Sequence, residues 1–276
     1  MKQVVVITGV SSGIGYDLAT FLNEKDYIVY GISRSSVEIP GVTHMPGDIT
    51  DEEKIQAIIK DIYEKEGRID ILVNNAGMGI SGSIEGTNTK DVKNIFNVNF
   101  VGAFITIKAI LPYLRQQNYG KIINVGSVAS EFAIPFQAFY SSSKAALKTF
   151  GEALDNEVSP YGVRVCTILP GDIKTNFTKN REKNIEELDA YKTRVSKSIA
   201  VMEKDEQKGM TVRYASKQIY KVIKKKRMPL QKTIGNEYKL LLFIKRLLPI
   251  KLVNNLVGKI YGFKKEKWVS EKRKYF

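Results

Sequence analysis

The chain has 276 residues, 43% hydrophobic and 26% charged, the balance of a soluble globular protein with enough length for one large α/β core. One cysteine, Cys166, excludes a disulfide within the chain, and one histidine, His44, with no cysteine partners, argues against a metal site and reads as a loop or strand-edge residue. The formal net charge is +14, and the excess lies in one stretch: residues 221–276 carry 17 Lys and Arg against 3 Asp and Glu, while residues 1–220 carry 26 of each.

The pattern of elements opens with an apolar, β-branched run over residues 3–8, typical of a buried parallel strand. It breaks into Gly9-Val10-Ser11-Ser12-Gly13-Ile14-Gly15, and a helix follows over 13–24 with Ile14, Leu18, Phe21 and Leu22 on one face. Strand, glycine turn and helix form a dinucleotide site, because the turn lets the backbone approach closely and the helix N-terminus offers free N–H groups to pyrophosphate. Strands at 27–32, 42–45, 69–73, 121–126 and 163–169 alternate with helices at 51–66, 89–115, 139–160 and 185–197. This alternation predicts right-handed crossovers and a doubly wound parallel α/β sheet. Nothing at the N-terminus reads as a signal peptide, so a cytoplasmic location is expected.

The second strand ends in Ser33-Arg34 with no acid until Glu38. An acid there binds the ribose hydroxyls of NAD, whereas Arg34, with Ser33 or Ser35, suits the 2′-phosphate of NADP. On the helix over 139–160, Tyr140 and Lys144 stand four residues apart and share a face. A nearby ammonium favours phenolate and pulls the tyrosine pKa toward the working range.

The spacing T-G-x-x-x-G-x-G over residues 8–15, together with Tyr140-x-x-x-Lys144, resembles the short-chain dehydrogenase/reductase family. Asn74-Asn75-Ala76-Gly77 after the fourth strand, Asn99 in N-V-N-F-V-G, Ser127 ahead of Tyr140, and Pro170-Gly171 with Thr175 match its motifs in order, across about residues 2–178. The resemblance implies a Rossmann-type sheet and interconversion of a small-molecule carbonyl and alcohol. It implies Tyr140 as proton donor or base, with Lys144 tuning it and holding the nicotinamide ribose. Ser127 would position the substrate oxygen, and Asn99 would hold a relay water. It also implies that Gly9, Ser11, Ser12, Gly13, Ile14, Gly15, Ser33, Arg34, Asp48, Ile49, Asn75, Ala76, Gly77, Pro170, Gly171, Ile173 and Thr175 contact the cofactor, Asp48 through the adenine amino group. NADP is expected over NAD, although some NADP members carry a second basic residue where Ser11 and Ser12 stand. In the family the helices over 89–115 and 139–160 pair between subunits, so a homodimer is expected.

Residues 1–220 are read as the catalytic domain, with a substrate lid over 172–210, and residues 221–276 as a helical, basic and apolar extension. The family's seventh strand belongs after the lid. Residues 210–222 read more like a helix than like that strand, and residues 229–234 are one place that could hold it. Pro249 divides the apolar stretch 238–261 into two short helices. They are too short and too charged to span a bilayer, but suit either an anionic membrane surface or a pocket wall. No nucleic-acid module accompanies the charge, so a nucleic-acid partner is not expected. The tail is loosely similar to the hydroxysteroid dehydrogenase-like branch of the family. Met78, Gly79 and Ile80, residues 132–136, and Phe177 are apolar pocket candidates, and with the tail they favour a lipophilic substrate: steroid-like, retinoid-like, a fatty aldehyde or an acyl compound. A small polar ketone, a sugar or a 3-oxoacyl thioester is the alternative, and a non-enzymatic cofactor sensor is a third reading.

Overall fold

The computed structural model describes residues 2–177, 181–183 and 187–261. The first strand, β1 (Val4–Thr8), is fully buried, and its four apolar side chains alternate between the cores on the two faces of the sheet. In chain order follow α1 (Gly13–Asn23), β2 (Ile28–Ser33), β3 (Val42–Pro46), α2 (Glu52–Glu66), β4 (Ile71–Asn74), the short β5 (Ile80–Ser81), α3 (Thr89–Phe96), α4 (Gly102–Gln116), β6 (Gly120–Val125), α5 (Ala138–Val158) and β7 (Val163–Pro170). The short β8 (Glu182–Lys183), α6 (Asp189–Lys208), α7 (Val212–Ile223), β9 (Gln231–Ile234), α8 (Asn236–Leu247) and α9 (Ile250–Ile260) complete the set.

Seven parallel strands form one sheet in the order β3-β2-β1-β4-β6-β7-β9. The order reverses at β1, which lies between β2 and β4, and a crevice at that point, beyond the carboxyl ends of the strands, is where such sheets bind ligands. Helices cover both faces. Val4 and Val6 join Ile55, Ile59, Ile107 and Ile110 on one side, while Val5 and Ile7 join Leu18, Leu22, Ala215 and Ile219 on the other.

Two of the expected elements differ in the fold, and a third lies where it was expected. The helix expected over 89–115 is interrupted by a π-helical turn at Asn97–Val101, which carries Asn99. The helix expected at 185–197 begins at Asp189 among the described residues and runs on to Lys208, because Ile199 and Met202 continue its buried stripe. The expected strand near 229–234 is β9, which pairs with β7 through Thr167↔Gln231 to Pro170↔Ile234. The chain beyond residue 220 therefore supplies the last strand of the sheet. The end of the basic extension, residues 262–276, lies outside the described residues.

By length and hydropathy alone, Thr89–Gln116 would suffice to cross a membrane. In the fold Ile105, Ile107, Ile110 and Leu114 of this stretch are core.

Candidate active site

The carboxyl ends of β1, β2, β4, β6 and β7 open into a single cavity of about 840 Å³. The residues expected to touch the cofactor or to act in catalysis all line it except Gly15 and Asn99; of the apolar pocket candidates Met78, Gly79, Phe132, Ile134 and Phe177 line it, while Ile80, Ala133, Pro135 and Phe136 do not.

The glycine turn shows why glycine is required. Gly9 has φ +74°, and a Cβ on it would lie 2.7 Å from Ala76 Cα. A Cβ on Gly15 would lie 2.2 Å from Gly9 O and 2.4 Å from Asn75 Nδ2. Asn75 fastens this packing by donating from Nδ2 to Thr8 O at 3.1 Å and Gly9 O at 3.0 Å. Thr8 Oγ1 accepts from the amides of Asn75 and Ala76, each at 3.1 Å. The Ser12 side chain makes no cap bond to α1. The helix N-terminus thus faces the cavity with its own N–H groups, as an anion site requires.

At the end of β2, Arg34 is exposed and its Nη1 lies 3.9 Å from Asp48 Oδ2. Asp48 is oriented by Thr50, whose amide and hydroxyl donate to Oδ1 at 2.9 and 2.8 Å. Ser33 is buried instead, with Oγ bonded to Ser35 O at 2.9 Å and His44 Nε2 at 2.8 Å. That engagement leaves Arg34 and the exposed Ser35, not Ser33, as free donors at this end. His44 itself sits on β3, the edge strand.

Tyr140 and Lys144 occupy the first turns of α5. Lys144 is 4% exposed, donates to Val125 O at 2.9 Å, and lies 6.0 Å from the centroid of the Tyr140 ring. Burial pushes its ammonium down to about 8. The phenol differs from the expectation. Burial pushes Tyr140 up to about 12, while a hydrogen bond with Ser127 and the charge of Arg181 work against the rise. Desolvation outweighs any lowering by a neighbouring cation. Ser127 begins a 3₁₀ turn, Val128–Ser130, and its Oγ accepts from Ala129 N at 3.1 Å, which fixes the hydroxyl beside the phenol.

Asn99 is buried in the π turn. Its Oδ1 accepts from Met78 N at 2.8 Å, and its Nδ2 donates to Met78 O at 2.9 Å and Ser143 Oγ at 3.0 Å. It therefore pins the chain that follows Gly77. A Cβ on Gly77 would fall 3.1 Å from Asn99 Oδ1 and 3.2 Å from Lys144 Nζ, so both polar groups converge on one point.

Two features of the cavity were not legible in the sequence. Tyr238 of α8 lies against Gly171, where a Cβ would fall 2.1 Å from its ring, and its hydroxyl donates to Asp172 at 2.5 Å. Arg181 reaches in from the lid, its side chain fully buried and paired with Glu206. Both sit among ordinary polar and charged residues, with no spacing signal. The tail also contributes Leu241, Val257, Ile260 and Tyr261 to the cavity wall.

The residues present fit a nicotinamide dinucleotide. A glycine turn with no room for Cβ atoms, a free helix N-terminus, an exposed arginine at one end and a tyrosine–lysine–serine set at the other lie along one continuous crevice. Such a cofactor supplies hydride to, or removes it from, a carbonyl/alcohol carbon.

Comparison with known proteins agrees. A family model described as short chain dehydrogenase matches residues 3–186. A 3-ketodihydrosphingosine reductase of Bacteroides thetaiotaomicron is 40% identical over 238 residues, covering 84% of this chain and 88% of that protein. A short-chain dehydrogenase from Streptomyces avermitilis superposes with a TM-score of 0.81 at 25% identity, over 94% of this chain and 97% of its own. ElxO with NADP bound superposes with a TM-score of 0.73 at 27% identity, over 87% of this chain and all of its own (100%). The chain belongs to the short-chain dehydrogenase family, and is an oxidoreductase that acts on the carbonyl or alcohol of a small molecule with a nicotinamide cofactor.

Proposed function

We propose that this chain is an NADPH-dependent reductase of a lipophilic ketone, of the class to which 3-ketodihydrosphingosine belongs. The observation that carries the reading is the shape of the cavity: one crevice joins Arg34 to Tyr140 and continues to an apolar wall of Leu241, Val257 and Ile260. The similarity to a reductase named for a long-chain ketone supports the substrate class. The exposed Arg34 and the likeness to ElxO with NADP bound support the cofactor.

In this reading Tyr140 donates a proton to the carbonyl oxygen, and a phenol pushed up to about 12 holds that proton at neutral pH, which suits reduction. Ser127 holds the same oxygen beside the phenol and stabilises its developing charge. Lys144 binds the nicotinamide ribose, and Asn99, facing the same point, relays the replacement proton through water. Arg34 pairs with the 2′-phosphate. The turn residues Gly9, Ser11, Ser12, Gly13, Ile14 and Gly15 hold the pyrophosphate, Asp48 and Ile49 the adenine, and Asn75, Ala76 and Gly77 the adjoining ribose. Pro170, Gly171, Ile173 and Thr175 hold the nicotinamide.

Assembly and location follow from surfaces. Phe104 of α4 is 39% exposed and stacks edge-on with Phe150 of α5, an apolar face suited to a homodimer partner. On α8 and α9, Phe243, Leu247 and Ile250 are 61%, 69% and 86% exposed, on helices that also carry Lys239, Arg246 and Lys251. This face suits peripheral contact with an anionic membrane from the cytoplasmic side.

The test is loss of nicotinamide absorbance with NADPH or NADH against a long-chain 3-ketone, a small polar ketone, a sugar and a 3-oxoacyl thioester. The highest kcat/KM is expected for the long-chain ketone with NADPH. A higher value for a polar substrate overturns the proposal.

A further inference from the structure

Beyond Tyr140 the cavity ends in charges that neither proton transfer nor cofactor binding uses. Asp172, Arg181, Asp205, Glu206 and Glu237 line this end, with Glu182 and Lys208 adding one charge of each sign. Arg181 is 4% exposed, and one edge of its guanidinium is paired with Glu206. Its Cζ lies 5.8 Å from the centroid of the Phe177 ring, which is 5.6 Å from that of Tyr140. Its Nε and Nη1 have no hydrogen-bond partner among the described residues. Two unmade donors on a buried guanidinium are costly and call for an acceptor.

The carboxylates make the opposite demand. Asp172 stands just past β7, and among the described residues its carboxylate takes one side-chain donor, the Tyr238 hydroxyl at 2.5 Å. Burial pushes its carboxyl up, and Glu206, Asp205 and Glu237 add to the rise, so a cation placed there relieves the cluster. An anionic substrate group could reach Arg181 only by crowding against these carboxylates. A neutral oxygen with an ammonium beside it satisfies both sides.

We propose that this cluster is a head-group site for an amino alcohol. The carboxylates of Asp172 and Glu206 take a substrate ammonium, and Nε and Nη1 of Arg181 donate to an adjacent hydroxyl oxygen. The substrate class is then a long-chain ketone with an amine and a hydroxyl next to the carbonyl, a refinement that rests on the lipophilic-ketone reading above.

The test is calorimetric binding to the full-length chain saturated with NADP, using three ligands with chains short enough to stay monomeric. These are a 2-amino-1,3-diol, the same 1,3-diol without the amine, and the 2-amino-3-alcohol without the terminal hydroxyl. Loss of either group is expected to weaken Kd about tenfold in the wild type. Asp172→Asn should erase the difference made by the amine, and Arg181→Gln the difference made by the hydroxyl. Equal Kd for the three ligands in the wild type overturns the proposal. So does a uniform loss for all three in both variants, the signature of a purely structural role. Turnover of the matching ketones keeps the two readings apart. Amine preference in binding with no ketone reduced leaves this site standing and removes the reductase reading; ketone reduction without amine preference does the reverse.

Discussion

Replacing Lys144 with methionine is expected to stabilise the protein at neutral pH while removing its catalysis. Burial holds the Lys144 pKa at about 8, against 10.5 for a free side chain. Each unit is worth about 1.4 kcal/mol, so keeping the charged form inside the fold costs roughly 3 kcal/mol at neutral pH. The folded pKa lies below the unfolded one, so between pH 8 and 10.5 the unfolded chain holds a proton that the folded chain has released. Stability from this group therefore climbs as pH rises through that window, and the cost is complete below it. Methionine keeps the unbranched length without the charge, but deprives Val125 O of its donor, a loss of about 1 kcal/mol. The net gain is about 2 kcal/mol at pH 7, disappearing by about pH 10. Urea unfolding of both proteins without cofactor, followed by circular dichroism at pH 7, 8.5 and 10, measures it. Tyr140, pushed up to about 12, contributes stability that is lost only above pH 10, equally in both proteins, and so drops out of the difference. A difference that stays flat across the series, or a variant less stable than wild type at pH 7, refutes the reasoning.

Tyr140→Phe should bind NADPH normally, seen by fluorescence titration, yet lose turnover by about two or more orders of magnitude; near wild-type kcat would remove Tyr140 as proton donor. Arg34→Asp should move the ratio of kcat/KM toward NADH, and a wild type that prefers NADH would refute the role given to Arg34. Light scattering should show a dimer at micromolar concentration, and Phe104→Glu should shift it toward monomer; a wild type found only as monomer counts against the helix-face interface. Flotation with anionic vesicles at low salt should recover the protein, less so at high salt or in a Leu247→Glu, Ile250→Glu double variant. Those two side chains are chosen because they point away from the cavity wall, unlike the buried Val257.

What could be read from the sequence followed from periodicity and from short motifs whose spacing carries chemistry. The apolar strands, the glycine turn, and the sets around Asn75, Ser127 and Tyr140 lie at the carboxyl ends of neighbouring strands, so a correct strand order brings them together. The seventh strand was harder to place because Gln231, Lys232 and Thr233 are half-buried at a sheet edge and show no apolar alternation. The π turn stayed hidden because apolar residues are so dense on both sides of it, from Val92 to Ile110, that a one-residue shift of the stripe does not show in the sequence. β5 and β8 pair through two residues each, too few for any pattern. The division of the tail was visible at Pro249, but its division of labour was not. Leu252 and Val257 belong to the same apolar stripe, yet Leu252 is 44% exposed and Val257 is 8% exposed. The direction of the Tyr140 shift was also illegible, since it depends on how completely the ring is desolvated.

The π turn at Asn97–Val101 has a consequence for changes in chain length. A π turn is an α-helix with one residue inserted, and each residue advances an α-helix by about 100°. Deleting one residue there would restore a regular helix and turn one flank against the other. Either Asn99 would swing away from the Met78 backbone, or Ile105, Ile107 and Ile110 would swing out of the core. A one-residue gap there sets the placing of Asn99 against the packing of the core. The length of the segment, more than the identity of most of its residues, is what this site demands.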